Sequence, residues 1–387
     1  MGRYKKEDLH NRYVIEQARS AYKSACISQS SYAAILAAYP DKLYTPNIFI
    51  RIALALLSTV AISFFSVLLF SILGISITVM LILDAVICYI SLRLFIKSRK
   101  YFNAGIDNIL IYYIIAFMVS AVFFNNDFDA GSELVFATAV VVSLILSIAF
   151  IDAFAALISC VCFIILAFLI CVKFGTFGQT AAPFIIAGLC MVLYLFSTRY
   201  YSSKRLLYYR FTLKTVKGFS IVAFYASLNY FMVNKVSYSV YPYSFLPQHL
   251  VFTGWLFWIT TIMIPVAYVV YGIRKKDLLF ARIGTILIAA AICTVRYYHP
   301  ILPAEVAMLL SGTVLMIVSY YLIRYLKDGK HGYICKPAEK HNKDLDLAAL
   351  VMQHSIAGAH TGSTSSSVSD TMFDGGTGGG AGAGGNY

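Results

Sequence analysis

The stretch LVFATAVVVSLILSIAFIDAFAALISCVCFIILAFLICV, residues 134–172, contains one charged side chain, Asp152. It is too long for a single crossing, since roughly 20 residues span the ~30 Å of bilayer hydrocarbon. We read it as two spans, 134–151 and 153–172, turning at Asp152. Backbone groups in lipid must bond within their own segment, so each span is a helix.

Working outward, apolar blocks of about 17–25 residues recur along the chain, each the length of one crossing. They lie near 48–73, 75–92, 106–124, 134–151, 153–172, 181–198, 218–233, 250–271, 279–298 and 303–323. The expected fold class is therefore all-α, a polytopic integral membrane helix bundle of about ten transmembrane helices.

Lys and Arg test the order of these spans, because they concentrate in cytoplasmic connections. The N-terminal segment carries Arg3, Lys5, Lys6, Arg12, Arg19, Lys23, Lys42 and Arg51. Arg93, Lys97, Arg99 and Lys100 follow the second span; Arg199, Lys204, Arg205, Arg210, Lys214 and Lys217 follow the sixth. Arg274, Lys275, Lys276 and Arg282 follow the eighth, and Arg324, Lys327 and Lys330 the tenth. The alternate connections are nearly bare, and 125–133 is acidic with Asp127, Asp129 and Glu133. All the basic connections fall on one side only if the chain turns at Asp152. The expected topology is a multi-pass protein of a bacterial inner (cytoplasmic) membrane, with both termini cytoplasmic.

Composition agrees. The 387 residues are 60% hydrophobic and 13% charged, against roughly half and a quarter in a soluble domain. The net charge of +13 sits beside the apolar blocks, so it points to anionic lipid headgroups as partners and not to nucleic acid. The eight cysteines form no Cys-x-x-Cys pair, and six fall in spans, which argues against a disulfide framework. Polar residues 1–47 precede the first span and read as a cytoplasmic helical segment, so that span is expected to be an uncleaved anchor. Residues 48–326 form the bundle. Residues 327–387 form a cytoplasmic tail, Ser/Thr/Gly-rich and disordered from about 361.

Asp84 is the sharpest chemical feature. It lies inside the second span, where an ionised side chain is costly. Ser76, Met80 and Cys88 share its face at helical spacing. The pattern fits a proton or cation site, or a protonated carboxyl bonded to a neighbouring helix. Asn229 lies in the short seventh span. It marks either an interrupted helix of the kind that binds transported solutes, or a helix whose cytoplasmic end reaches back to Phe211 with Lys214 and Lys217 snorkelling.

Asp107, Asp152 and Glu305 sit at expected helix starts, where a carboxylate meets the positive dipole end. Tyr200, Tyr201, Tyr208, Tyr209, Tyr297, Tyr298, Tyr320 and Tyr321 read as interfacial belts. Thr285, Ala289 and Cys293 offer a small-residue face for helix packing. His331, Cys335 and His341 match no closed zinc spacing, so no metal is expected. No nucleotide loop, metalloprotease or nucleophile-elbow motif occurs, so neither a cofactor nor an enzyme activity is expected.

The segment Ile27-Ser28-Gln29-Ser30-Ser31-Tyr32-Ala33-Ala34-Ile35-Leu36-Ala37-Ala38-Tyr39-Pro40, followed closely by the first span, resembles the opening of the bacterial membrane proteins grouped as domain of unknown function 2157. Residues 101–110, Tyr-Phe-Asn-Ala-Gly-Ile-Asp-Asn-Ile-Leu, and the Phe-Asp-Gly-Gly tail from Phe373 are similar to versions from Bacteroidetes-like bacteria. The resemblance implies a multi-pass bacterial membrane protein and supplies no catalytic residues. Two functions stay open from the sequence. One is handling of a small solute, ion or lipid within the bundle, with Asp84, Cys88 and Asn229 as the polar site. The other is a non-transporting scaffold or sensor that docks partners through its cytoplasmic ends.

Overall fold

A computed structural model describes residues 4–23, 26–126, 133–240, 248–275 and 277–298, with scattered helical positions between Leu309 and Arg324. The described chain is helical, without a β-strand; Tyr44 and Tyr101 make an isolated bridge. Residues 299–308 and 325–387 lie outside the described residues. The expected tenth span, the tail 327–387 and the His331, Cys335 and His341 group therefore lie essentially outside the described residues.

Two helices precede the bundle, α1 (Lys6–Lys23) and α2 (Gln29–Ala38). Ser28 caps α2 by accepting the Ser31 amide. Then come α3 (Ile48–Leu73), α4 (Ile77–Arg99), α5 (Ile106–Asn125), α6 (Glu133–Phe150), α7 (Ala153–Lys173) and α8 (Gly175–Tyr201). A 3-10 turn, Lys204–Tyr209, leads to α9 (Arg210–Leu228), α10 (Tyr230–Val240), α11 (Gln248–Lys275) and α12 (Leu278–Tyr298).

Among the described residues, eight helices are long and apolar enough to cross a membrane, rather than the ten expected. The eight are α3 to α8, α11 and α12. The expected tenth falls beyond them, and the expected seventh is where the sequence reading needs correcting. That stretch is divided at Asn229, and the first half of α9 carries Arg210, Lys214 and Lys217, which dilute its apolar character. Several helices also outrun their expected ends. α4 continues through Arg93 and Lys97, and α8 begins at Gly175, because charged or polar turns add helical hydrogen bonds beyond the apolar block.

The surface is inverted relative to a soluble protein. No residue of α3 is buried, and Phe64 and Ile72 are each 70% exposed. An apolar face of that extent is stable in lipid, not in water. Inside, one apolar core joins α4, α5, α6 and α7 through residues such as Leu92, Ile111, Leu146 and Ala155. A second joins α8, α9, α10 and α11 through Ala187, Leu228, Val233 and Phe257.

The turn at Asp152 forms as the charge pattern requires. Asp152 caps α7, accepting the Ala155 amide at 2.7 Å, and Ser147 donates to its carbonyl at 2.9 Å. The preceding Ile151 adopts φ 59°, an unusual conformation for a β-branched residue, enforced by the tight reversal. The basic connections gather at one end of the bundle. Asn103 accepts from Arg51, Asn108 donates to Asp152 at 3.3 Å, and Tyr209 donates to the Ile148 carbonyl at 2.6 Å. Lys217 pairs with Asp277 at 2.7 Å, so it is anchored rather than snorkelling. α1 is seated on this same end, with Tyr4 and Leu9 packed among Leu43, Phe102, Ile151 and Tyr208.

The small-residue face of α12 also needs correction. Thr285, Ala289 and Cys293 are exposed, while Gly284, Leu287, Ala291 and Thr294 face inward. A Cβ on Gly272 of α11 would stand 2.5 Å from the Ala281 amide nitrogen, and one on Gly284 would stand 2.9 Å from that of Val269. The close approach of α11 and α12 therefore rests on these glycines.

Candidate functional site

Asp84 lies on the second turn of α4, about 10 Å of helical rise from its start. Its side chain is almost wholly buried, and residue exposure is 3%. The hydroxyl of Ser66 on α3 donates to its Oδ2. Among the described residues no cation pairs with it. A little further along α3, the Ser63 and Tyr113 hydroxyls bond at 2.7 Å, and Tyr113 also reaches the Thr59 carbonyl at 3.4 Å. Thr59, Ser63 and Ser66 recur at i, i+4 and i+7, so they share one face of α3. That face puts hydroxyls against α4 and α5, while the rest of α3 is apolar and exposed. The carboxyl is thus covered by the helix least embedded in the bundle.

Cys88 is one turn beyond Asp84 and belongs to the core of α4 to α7. Met80 is buried on the same face. Asn229 is elsewhere, in the second core, so the structure does not bring the three expected site residues together.

At Asn229 the backbone leaves the helical region, at φ −79° and ψ 129°, and the long helix divides into α9 and α10. The α9 end does reach back to the position beside Phe211, as one of the two sequence readings holds, and the interruption is present as well. A break inside an apolar bundle frees polar backbone groups that each cost free energy unless they are paired. Here side chains meet them. Asn229 Oδ1 accepts the amides of Phe231 at 3.0 Å and Met232 at 3.3 Å. Thr261 accepts the Tyr230 amide at 3.0 Å, and Thr260 donates to the Leu228 carbonyl at 2.8 Å. Asn229 Nδ2 then donates to Tyr225 at 2.8 Å and Thr294 at 3.4 Å. Four elements hold the break. Beyond it, Tyr230 stacks on Trp258 at 4.8 Å, and Tyr298 packs edge-on to both while accepting from Asn234 at 2.7 Å. Tyr298 is therefore also part of the bundle's packing.

At the basic end, α1 and the starts of α3, α5, α7 and α9 enclose a recess of about 750 Å³. Asp107 accepts the Asn103 and Ala104 amides at 2.6 and 2.8 Å. Asp152 turns its Oδ2 to Asn108 and Tyr112, and burial pushes its carboxyl above the usual carboxylate range. The phenol of Tyr4 is pushed up by burial and by these two acids. Sequence reasoning found the acids but took them only as helix starts. Their meeting depends on contacts between separate helices, for which single-helix spacing carries no signal.

Among the described residues no group of three metal-ligating side chains converges. No disulfide joins the seven described cysteines. No protein-family model, curated protein or solved structure matches the chain.

Proposed function

We propose that this multi-pass membrane protein moves a proton or small cation, alone or coupled to a solute, with Asp84 as the group that binds and releases it. The carrying observation is the burial of Asp84 within a span against a hydroxyl rather than a cation. A carboxyl so placed is costly when ionised and without a counter-charge, so exchange of its proton or a cation is coupled to its surroundings. The thinly packed α3 above it supplies an element whose displacement would expose it. Asn229 has a second, structural role: it pairs the backbone groups freed at the joint between α9 and α10. In this reading the basic end faces the cytoplasm of a bacterial cell, in keeping with the positive-inside rule.

The test is proton uptake into proteoliposomes loaded with a pH-sensitive dye, driven by a potassium diffusion potential. Wild-type protein is expected to acidify or alkalise the lumen according to the sign of the potential. Asp84→Asn should abolish that response while reconstituting normally. A wild-type protein without flux, or an Asp84→Asn protein with undiminished flux, contradicts the proposal.

A further inference from the structure

The recess at the basic end carries a second inference, independent of Asp84. Its lining includes four cationic side chains, Arg12, Arg51, Arg210 and Lys214. Arg12 is paired with Glu16 at 3.2 Å and stands 4.0 Å from Asp41. The other three have no carboxylate partner among the described residues. Arg51 donates to the neutral Asn103, and Arg210 donates to the Tyr13 hydroxyl at 3.0 Å. Arg210 Nε is buried without any hydrogen-bond partner.

Neither Asp107 nor Asp152 forms an ion pair with these cations. Asp107 is occupied by two backbone amides, and Asp152 by the Ala155 amide, Asn108 and Tyr112. Burial moves Asp152 toward its neutral form, which reduces its opposition to an anion. Helices α3, α5, α7 and α9 begin here while α6 and α8 end here, so their dipoles offset one another and the positive field comes from the side chains. The volume falls in the range of small-molecule sites. Tyr13 and Tyr201 lie under the Arg210 guanidinium at 5.8 Å each, and Ile111, Phe150 and Phe154 also line the recess. Position at the ends of the apolar helices puts the recess at headgroup level.

We propose that this recess binds a phosphate-bearing anion, either the headgroup of an anionic phospholipid or a soluble phosphate compound. Arg51, Arg210 and Lys214 supply charge-assisted hydrogen bonds to the phosphate oxygens. The aromatic and aliphatic wall takes the attached apolar or planar portion.

The experiment uses the full-length protein in two arms. In the first, native mass spectrometry follows binding of phosphatidylglycerol against phosphatidylcholine to protein in detergent. In the second, calorimetry follows inorganic pyrophosphate. Lys214→Gln and Arg51→Gln should each weaken binding about tenfold in whichever arm is active, the loss expected for one charge-assisted bond. Lys214 is exposed, so its replacement leaves the fold intact. The exposed Arg282, away from the recess, serves as control, and Arg282→Gln should bind as wild type does. Activity in the lipid arm alone assigns a lipid headgroup, and activity in the pyrophosphate arm assigns a soluble ligand. Wild-type protein that binds neither probe, or variants that bind either as tightly as wild type, overturns the proposal.

Discussion

Replacing Asn229 by Ala removes the acceptor for the Phe231 and Met232 amides and the donor to Tyr225 and Thr294. Asn229 is 3% exposed, so water cannot take over these bonds without entering the bundle. Loss of a helix N-cap costs about 1 kcal/mol, and a buried amide left unpaired costs about 1–3 kcal/mol. Part of the second amide's loss is absorbed by relaxation of the first turn of α10. The expected destabilisation is therefore about 2–4 kcal/mol, or roughly 2–5 °C in unfolding midpoint for a chain of 387 residues. The buried thiols of Cys88 and Cys190 allow a direct assay, because a fluorogenic thiol reagent labels them as the protein unfolds in detergent. Asn229→Ser keeps a capping oxygen and should recover more than half of the loss. An Asn229→Ala midpoint equal to wild type would refute the view that this side chain holds the break together. So would an Asn229→Ser midpoint as low as that of Asn229→Ala.

Gly105→Ala should cost at least about 2 kcal/mol, since a residue forced into a disfavoured backbone region loses about 1–3 kcal/mol. Gly105 has φ 99°, and the added Cβ would stand 2.3 Å from the Arg51 carbonyl oxygen; the same thermal assay measures it, and an unchanged midpoint contradicts the close approach of that loop to α3. The Lys217–Asp277 pair predicts a pH dependence. Burial raises the Asp277 carboxyl, but the bond from Lys217 and the Leu279 amide outweigh it and hold it below the usual range. A depressed acid contributes stability above its unfolded value of about 3.9, and loses it as pH falls through the lower folded value. Asp277→Asn should therefore lower the midpoint at neutral pH, by up to about 1 kcal/mol, and converge with wild type at acid pH. Equal midpoints at neutral pH would contradict it.

The apolar blocks and the Lys/Arg alternation carried most of the architecture, because the bilayer imposes length and charge rules on each segment separately. The reversal at Asp152 is the clearest case: one charged residue in an apolar stretch, with every later loop depending on it. Asn229 was legible as an interruption of its helix, but the partners that close the break were not. The groups that make a break tolerable, Thr260 and Thr261, lie about thirty positions further on in another helix. The inward face of α12 was misjudged for a similar reason, since Thr285 and Gly284 are equally small and only α11 distinguishes them. Asp84 was legible from cost alone. Its Ser66 partner was not, because a serine in a membrane helix usually bonds its own backbone, as Ser58 does to Leu54. The basic residues of the recess were read as a record of topology, which hid their convergence on one cavity.

The central claim is that Asp84 takes up and releases a proton or cation within the bundle. Infrared difference spectroscopy of the reconstituted protein, with and without a competing cation, reads this directly at the carboxyl. The account predicts a carboxyl band from a site shielded from water, which shifts when a competing cation is added and which Asp84→Asn lacks. A wild-type spectrum indistinguishable from that of Asp84→Asn would contradict it.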